Sequence, residues 1–388
     1  MSGRDGGGTG AGASATGRGL ERRRRRRLLR GGALGAAVLV LAGAGAGWFV
    51  YAKLSANITP DEAAADELAR YERERPTALA KGAQNILLIG SDTRSGAGNG
   101  AYGQDRGTGR SDTTILLHLA ADRRSATAVS LPRDLMVRVP DCRTPGGGRV
   151  TPRLTMFNQA FQLGGSGCTI RTVEQLTGIR VDHHMVLDFS GFKEMVDAVD
   201  GVEVCLKEPI DDKAAKLRLP AGRVTLNGEQ ALGYVRARKS LGNGSDTERM
   251  ARQQRFLGAL VDKVWDDDVL LNPVKLYPVL DAATSSLTTD PELASLRGLY
   301  QLVRGLRDIP TGSVRFLTVP REPYAYDANR DQLVQPAAGR LFALLRADRP
   351  VAVADDGSAP QAPRSDPSGP ASPAPTFSGN TASEHPCA

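Results

Sequence analysis

Three apolar runs of strand length recur early in the chain, each closing on a polar cluster: "QNILLIGSD", "TTILLHLAA" and "SATAVSLPRD". Continuous apolar runs of this kind suit strands buried on both faces of a sheet. The period then changes. "SGFKEMVDAVDGV" has helical spacing and stops at glycine. In "DTERMARQQRFLGALVDKVW" the apolar Met250, Phe256, Leu257, Leu260, Val261 and Val264 recur every three or four residues, and Asp246 stands where an N-cap belongs. "NGEQALGYVRAR" reads as a short helix running into a strand, "ASLRGLYQLVRGL" as a helix and "SVRFLTVP" as a late strand. Strands alternating with helices predict an α/β domain over residues 83–350, with helices covering both faces of a central sheet.

The flanks are different. "GGALGAAVLVLAGAGAGWFVYA", residues 31–52, carries no charge. At about 1.5 Å per residue it is long enough to cross a bilayer, and Trp48 and Tyr51 sit at its far end, where interfacial aromatics belong. A cleaved signal peptide is the other reading, with an apolar stretch normally shorter than this one. Residues 53–82 read as a juxtamembrane spacer whose charged helix, "TPDEAAADELARYERERP", presents a solvated face. Residues 1–30 and the Pro/Ser/Ala-rich 351–388 read as disordered.

Charge sharpens this picture. The chain has 388 residues and a net charge of +7, but residues 1–30 hold nine arginines against Asp5 and Glu21, so the remainder is neutral. The basic excess belongs to a tail before the span, which places that tail in the cytoplasm and the domain outside the cell membrane. A neutral domain argues against nucleic acid as a partner. Four cysteines, Cys142, Cys168, Cys205 and Cys387, fall in the outside portion without metal-ligand spacing. An even count there suggests disulfides. Of the three possible pairings, Cys142–Cys168 is favoured because the two flank one loop-rich stretch, which leaves Cys205 for Cys387.

Candidate chemistry gathers at the strand ends: "GSDTR", "GRSDTT" and "SLPRDL". Ligands in open α/β sheets bind at such loops. Asp92 and Asp112 could therefore converge, and two carboxylates with an open coordination sphere suit Mg²⁺, which takes its other ligands from water and phosphate. Singly, each aspartate is as readily a cap or turn residue. The counterpart is the cationic stretch "YVRARKSLGNGSDTERMARQQR". On a strand Arg236 and Arg238 share a face; on a helix Arg249, Arg252 and Gln253 do. Arg249 also stands near the positive end of its helix dipole, a placement that a bound anion would relieve. Guanidinium groups match phosphate oxygens in pairs; an exposed face paired with Asp246 and Glu248 is the plainer alternative. His118 lies inside an apolar strand and reads as a core or surface histidine; His183 and His184 precede a strand with no evident acidic or cysteine partner, so none of the three is the favoured catalytic group.

"NILLIGSDTR", "GRSDTTILLHL", "AVSLPRDL", "FNQAFQLGG", "TGIRVDHHMVLDFSGFKEMVDAVDGVEV", "LNGEQALGYVRARK" and "DTERMARQQRFL" occur in the order found in the LytR-CpsA-Psr family, which the chain resembles over residues 83–264. The resemblance implies a three-layer α/β/α sandwich around a mixed sheet. It implies a membrane-anchored enzyme that moves a polyprenyl-pyrophosphate-linked glycopolymer onto peptidoglycan as a phosphodiester. Under it, Asp92 and Asp112 coordinate Mg²⁺. Arg94, Arg110 and Arg133 contact pyrophosphate from the loop side; Arg236, Arg238, Arg249 and Gln253 contact it from the strand and helix. Asp92, Asp112, Arg133 and Arg236 carry the catalysis, and Asp134 orients Arg133. Phe157, Phe161, Leu163, Val186, Leu187 and Phe189 either line a lipid pocket or are ordinary core. A lipid pyrophosphate phosphatase and a cell-envelope regulator without transferase activity are the competing functions.

Overall fold

The computed structural model describes residues 15–78, 80–92, 109–144, 146–213, 215–237, 246–266, 273–354 and 376–384. The chain divides into two units, Met1–Lys53 and Leu54–Ala388. Helix α1, Ala15–Asn57, supplies the described part of the first and ends in the second; residues 15–30, expected to be disordered, are helical, and the stretch from Leu34 to Asn57 is long and apolar enough to cross a membrane. Leu34, Leu39, Leu41, Trp48 and Phe49 are all exposed, which suits a helix whose solvent is lipid.

In the second unit, nine strands form one mixed sheet: β1 (Thr59–Pro60), β2 (Gln84–Ser91), β3 (Ser111–Leu119), β4 (Ala126–Ser130), β5 (His183–Leu187), β6 (Leu287–Thr289), β7 (Val314–Thr318), β8 (Ala352–Ala354) and β9 (Thr376–Thr381). Their order is β1-β6-β5-β2-β3-β4-β7-β9-β8. Strands β2, β4, β5 and β7 run in one direction and β3 runs against them. Side chains alternate across the pleat, so each apolar run feeds two cores. Leu87, Leu116, Val129 and Leu317 enter one with Ile170, Val173 and Leu341. Ile86, Ile115, Ala128 and Phe316 enter the other, against which Leu257, Val261 and Leu302 pack. The helices on the two faces are α2 (Glu62–Arg70), α3 (Asn158–Thr177), α4 (Phe189–Ala198), α5 (Gly228–Arg236), α6 (Asp246–Asp266), α7 (Pro273–Ser286), α8 (Leu296–Arg307) and α9 (Ala337–Arg346). The architecture is the expected mixed α/β fold.

Both flanks differ from expectation. The segment read as a spacer belongs to the folded unit, which begins at Leu54. Glu67 of α2 is buried and pairs with buried Arg171 of α3 at 3.4 Å. The two helices meet at Gly167, where a Cβ would lie 3.2 Å from the Cα of Ala64. The sequence hid this docking, because Glu67 looks like a surface charge until its partner, 104 residues away, is known. Nor is residue 351 onward simply a tail: β8 and β9 extend the sheet, and Phe377 is buried in the first core.

Helix α3 is not marked by hydrophobic periodicity, and it is kinked. Gly165 takes φ +68°, and a Cβ at Gly164 would come 2.7 Å from that of Cys168. The glycine pair thus makes the bend and leaves room for the Cys142–Cys168 disulfide, which forms as expected. Cys205 is also disulfide-bonded; Cys387, its expected partner, lies outside the described residues.

Candidate functional site

Because β2, β4, β5 and β7 share a direction and β3 opposes them, the polar clusters flagged in the sequence meet at one end of the sheet. Asp92 follows β2, and its backbone N–H donates to the carbonyl of Arg110 at 2.9 Å, while the N–H of Arg110 donates to the Asp92 carboxylate at 2.5 Å. Gly90 pairs with Thr113 and Ser91 with Ser111, so Asp112 is the extra residue of a β-bulge. Bulges re-aim side chains at functional sites. Leu131 to Asp134 follow β4 at the same end, and α6 is fixed over it by Gln254, whose amide donates to Ser130 Oγ at 2.9 Å and Thr318 Oγ1 at 3.1 Å.

The centre of the site is Arg133. Its guanidinium reaches Asp112 at 3.0 Å, Asp134 at 3.3 Å and Asp246 at 3.8 Å. Burial acts to lower the pKa of Arg133, but the carboxylates of Asp134, Asp112 and Asp246 outweigh it and raise the value above the ordinary range. Asp246 also binds buried Arg249 at 2.5 Å, which joins the loop side to the helix side. A fourth carboxylate, Asp331, pairs with Arg321 and receives its position from a backbone bond to Asp134 at 3.1 Å. Burial pushes the Asp331 carboxyl up, Arg321 opposes this, and Asp246 and Asp134 add to the rise. Neither Arg321 nor Asp331 was flagged in sequence; they sit in a hairpin with no motif of its own. Asp246 was read as a cap and as a partner for the arginines of an exposed helix face; its bond to Arg249 forms, but Arg249 is buried.

The opening of α6 also grips the end of α5. Arg252 is buried and donates to the carbonyls of Tyr234, at 3.1 Å, and Ala237. Gln253 donates to the carbonyl of Val235 at 3.2 Å. Burial lowers the Arg252 pKa despite the nearby Tyr234. Gln253, expected as a pyrophosphate contact, therefore spends an amide donor on the frame. Arg236 was expected on a strand but is the last residue of α5, with the backbone turning extended at Ala237. Its guanidinium lies 4.4 Å over the Phe189 ring. Arg110 is held at 3.1 Å to Gln162 of α3. Arg94 and Arg238 lie outside the described residues. Phe157 is fully buried in the core, and Phe161, Leu163 and Val186 pack against it.

Ser111 Oγ, Thr114 Oγ1 and Asn158 Oδ1, all buried near this end of the sheet, have no hydrogen-bond partner among the described residues. Buried polar atoms without partners call for water or ligand. Among those residues no group of three or more His, Cys, Asp or Glu could hold a metal. Mg²⁺ needs fewer: one or two carboxylates, with water and phosphate completing the sphere. Asp92 and Asp112, hard oxygen donors on paired backbone segments, fit that requirement.

The histidines have partners after all. His183 is 3.2 Å from Asp290, and His184 is 3.1 Å from Asp61. Ser166 also donates to Asp61, so the aspartate lies between serine and histidine, an order that activates neither as a nucleophile. A cavity of ≈ 400 Å³ lies away from the carboxylate cluster, lined by residues including Tyr71, Arg75, Arg138, Arg171 and Glu174. Arg75 and Arg171 are occupied there by Glu174 and by Glu67 and Glu74.

The domain is an α/β sandwich with arginines and carboxylates interleaved at one end of a mixed sheet, and the chain also has a helix that fits a single-pass membrane anchor. The chain belongs to the LytR_cpsA_psr family, whose model matches residues 54–344. It is 36% identical over 270 residues to the probable cell wall biosynthesis protein LcpB of Corynebacterium glutamicum, covering 68% of this chain and 61% of the relative. The cell wall biosynthesis protein LcpA of that organism is 35% identical over 62% of this chain and 50% of its own. The match thus spans about half to three fifths of these relatives. The polyisoprenyl-teichoic acid–peptidoglycan teichoic acid transferase TagT of Bacillus subtilis is 29% identical over 76% of this chain and 88% of its own. Among solved structures, one described as TagT bound to LI-WTA superposes with a TM-score of 0.51 and 25% identity, covering 69% of this chain and 91% of that one. The protein gbs0355 of Streptococcus agalactiae gives a TM-score of 0.57 at 23% identity, over 73% and 91% of the two chains.

Proposed function

We propose that the domain lies outside the cell membrane and transfers a glycopolymer from a polyprenyl-pyrophosphate carrier to peptidoglycan through a phosphodiester bond. The observation that carries this reading is Arg133, held among Asp112, Asp134 and Asp246, with Arg249 sharing Asp246. Cations kept partly buried by carboxylates can be turned to an incoming diphosphate, whose charge favours them more than water does.

In the proposed reaction an acceptor sugar hydroxyl attacks the phosphorus that bears the polymer. Its oxygen forms the new P–O bond, the bond to the bridging oxygen breaks, and polyprenyl phosphate leaves with that electron pair. Asp92 or Asp112 takes the hydroxyl proton. Arg110, Arg133, Arg236 and Arg249 orient the diphosphate and stabilise charge on the leaving phosphate. Mg²⁺ held by Asp92 and Asp112 would supply further neutralisation of the phosphoryl oxygens. Arg94, Arg238 and Gln253 complete the proposed phosphate contacts.

The test is to incubate full-length protein in detergent with a lipid-pyrophosphate glycan donor and peptidoglycan oligosaccharides. Phosphodiester-linked product with matching release of lipid monophosphate is expected. Monophosphate release with no polymer attached would make the protein a phosphatase instead. Salt-resistant binding of duplex DNA, with neither reaction, would make it a regulator.

A further inference from the structure

Building on that reading, we infer that the hairpin Arg321–Leu333 is the platform on which the acceptor glycan strand lies, through the exposed ring of Tyr326 and the half-buried ring of Tyr324 beside it. The strands Arg321–Tyr324 and Asp327–Leu333 pair antiparallel. Tyr326 is 88% exposed. Its ring centroid is 5.4 Å from that of Tyr324, at an interplanar angle of 57°. A tyrosine ring left in water, as that of Tyr326 is, contributes nothing to the core, and aromatic surface of this kind is a usual anchor for binding.

The hairpin is built to hold these rings still. Asp327 accepts from the Asn329 backbone at 3.0 Å and from Arg330 at 3.3 Å, and Gln332 donates to Glu322 at 2.9 Å. Its root is part of the site. Asp331 bridges to Leu135, bonds to Asp134 through its backbone and pairs with Arg321. Pro323 lies opposite Asp331, and Tyr324 follows Pro323. At about 3.3 Å per residue the tyrosine backbones stand within roughly 10 Å of Pro323, the cross-strand partner of Asp331.

A sugar ring has an apolar C–H face and a rim of hydroxyls. Two tilted phenol rings match the face, and the same hairpin carries the polar Glu322, Asn329 and Gln332, which can meet the rim. A glycan strand seated here would run from an aromatic anchor into the Arg133 cluster, which is where its attacking hydroxyl is required. A peptide is the other chemistry that such rings could hold. The continuity of the hairpin with a site that acts on a sugar hydroxyl favours the glycan.

The experiment measures binding of full-length protein, in detergent and without donor, to peptidoglycan glycan strands stripped of stem peptides, and separately to free stem peptides. Tyr324→Ala and Tyr326→Ala should each weaken glycan binding by roughly three- to tenfold. Tyr326→Phe should bind like the wild type, and retention of the phosphorylated lipid should be unchanged in all three. Equal glycan binding by the Tyr324→Ala/Tyr326→Ala double variant, or binding of stem peptides but not of stripped glycan, would overturn the inference. Because no donor is present, a failure of the transferase reading would show separately, as loss of lipid retention in the wild type.

Discussion

Three arginines in the same region have three different duties, and the distinction lies in what their nitrogens meet. Arg133 faces carboxylates at 3.0 to 3.8 Å, Arg249 shares one of them, and Arg252 faces backbone carbonyls. The sequence showed that cations cluster here, and the strand-end motifs pointed to Arg133 and Asp112. Helix spacing alone puts Arg249 and Arg252 on one face; the helix dipole and the family resemblance singled out Arg249, but the framing duty of Arg252 is set by α5, which spacing does not show. Arg321 and Asp331 were invisible for a related reason: their meaning depends on Asp134, almost two hundred residues earlier. Arg133→Lys keeps the charge but loses the planar fork, so turnover should fall by roughly a hundredfold with little change in melting temperature. An unchanged rate would remove Arg133 from the reaction. Arg252→Ala should behave in the opposite way, lowering stability by about 1.5–3 kcal/mol in denaturant unfolding. A stable Arg252→Ala protein that failed to bind lipid would reverse the assignment.

The strands and the amphipathic helices were readable because their periodicity serves the packing that forms them. Leu116 and Ile115 face opposite cores for the same reason that the run containing them is continuous. Helix α3 was not readable, since its Gly164–Gly165 kink answers to a disulfide and not to a hydrophobic face. The histidine pair of β5 was likewise opaque until β6 and the entry to α2 brought Asp290 and Asp61 to it. Burial acts to lower the His183 pKa, but the Asp290 hydrogen bond and charge raise it above the ordinary 6.5; burial acts to raise Asp290, and His183 pulls it below 3.8. The stabilisation from raising His183 is full below pH 6.5 and is lost as pH rises through its raised value. That from Asp290 is present above 3.8 and is lost as pH falls through its lowered value. The melting temperature of the wild type should therefore decline more steeply as pH rises above 6.5 than that of His183→Gln. Parallel curves across that range would contradict the link.

At the scale of the whole molecule, the apolar span and the basic tail before it were plain in the sequence, while the extent of the folded unit was not. Charge composition made 53–82 look like a spacer and Pro/Ser content made 351–388 look like a tail, yet Glu67 and Phe377 are both buried. Each finds its partner only after the sheet exists. The central proposal is that arginines at one end of the sheet clamp the diphosphate of a membrane-borne lipid. The most direct measurement is mass spectrometry of lipid co-purified with full-length protein in Mg²⁺-containing detergent buffer, for the wild type and for Arg133→Ala and Arg249→Ala. Polyprenyl-linked phosphate or diphosphate retained by the wild type and lost from both variants is the expected result. No phosphorylated lipid on the wild type, or equal amounts on all three proteins, would contradict the claim.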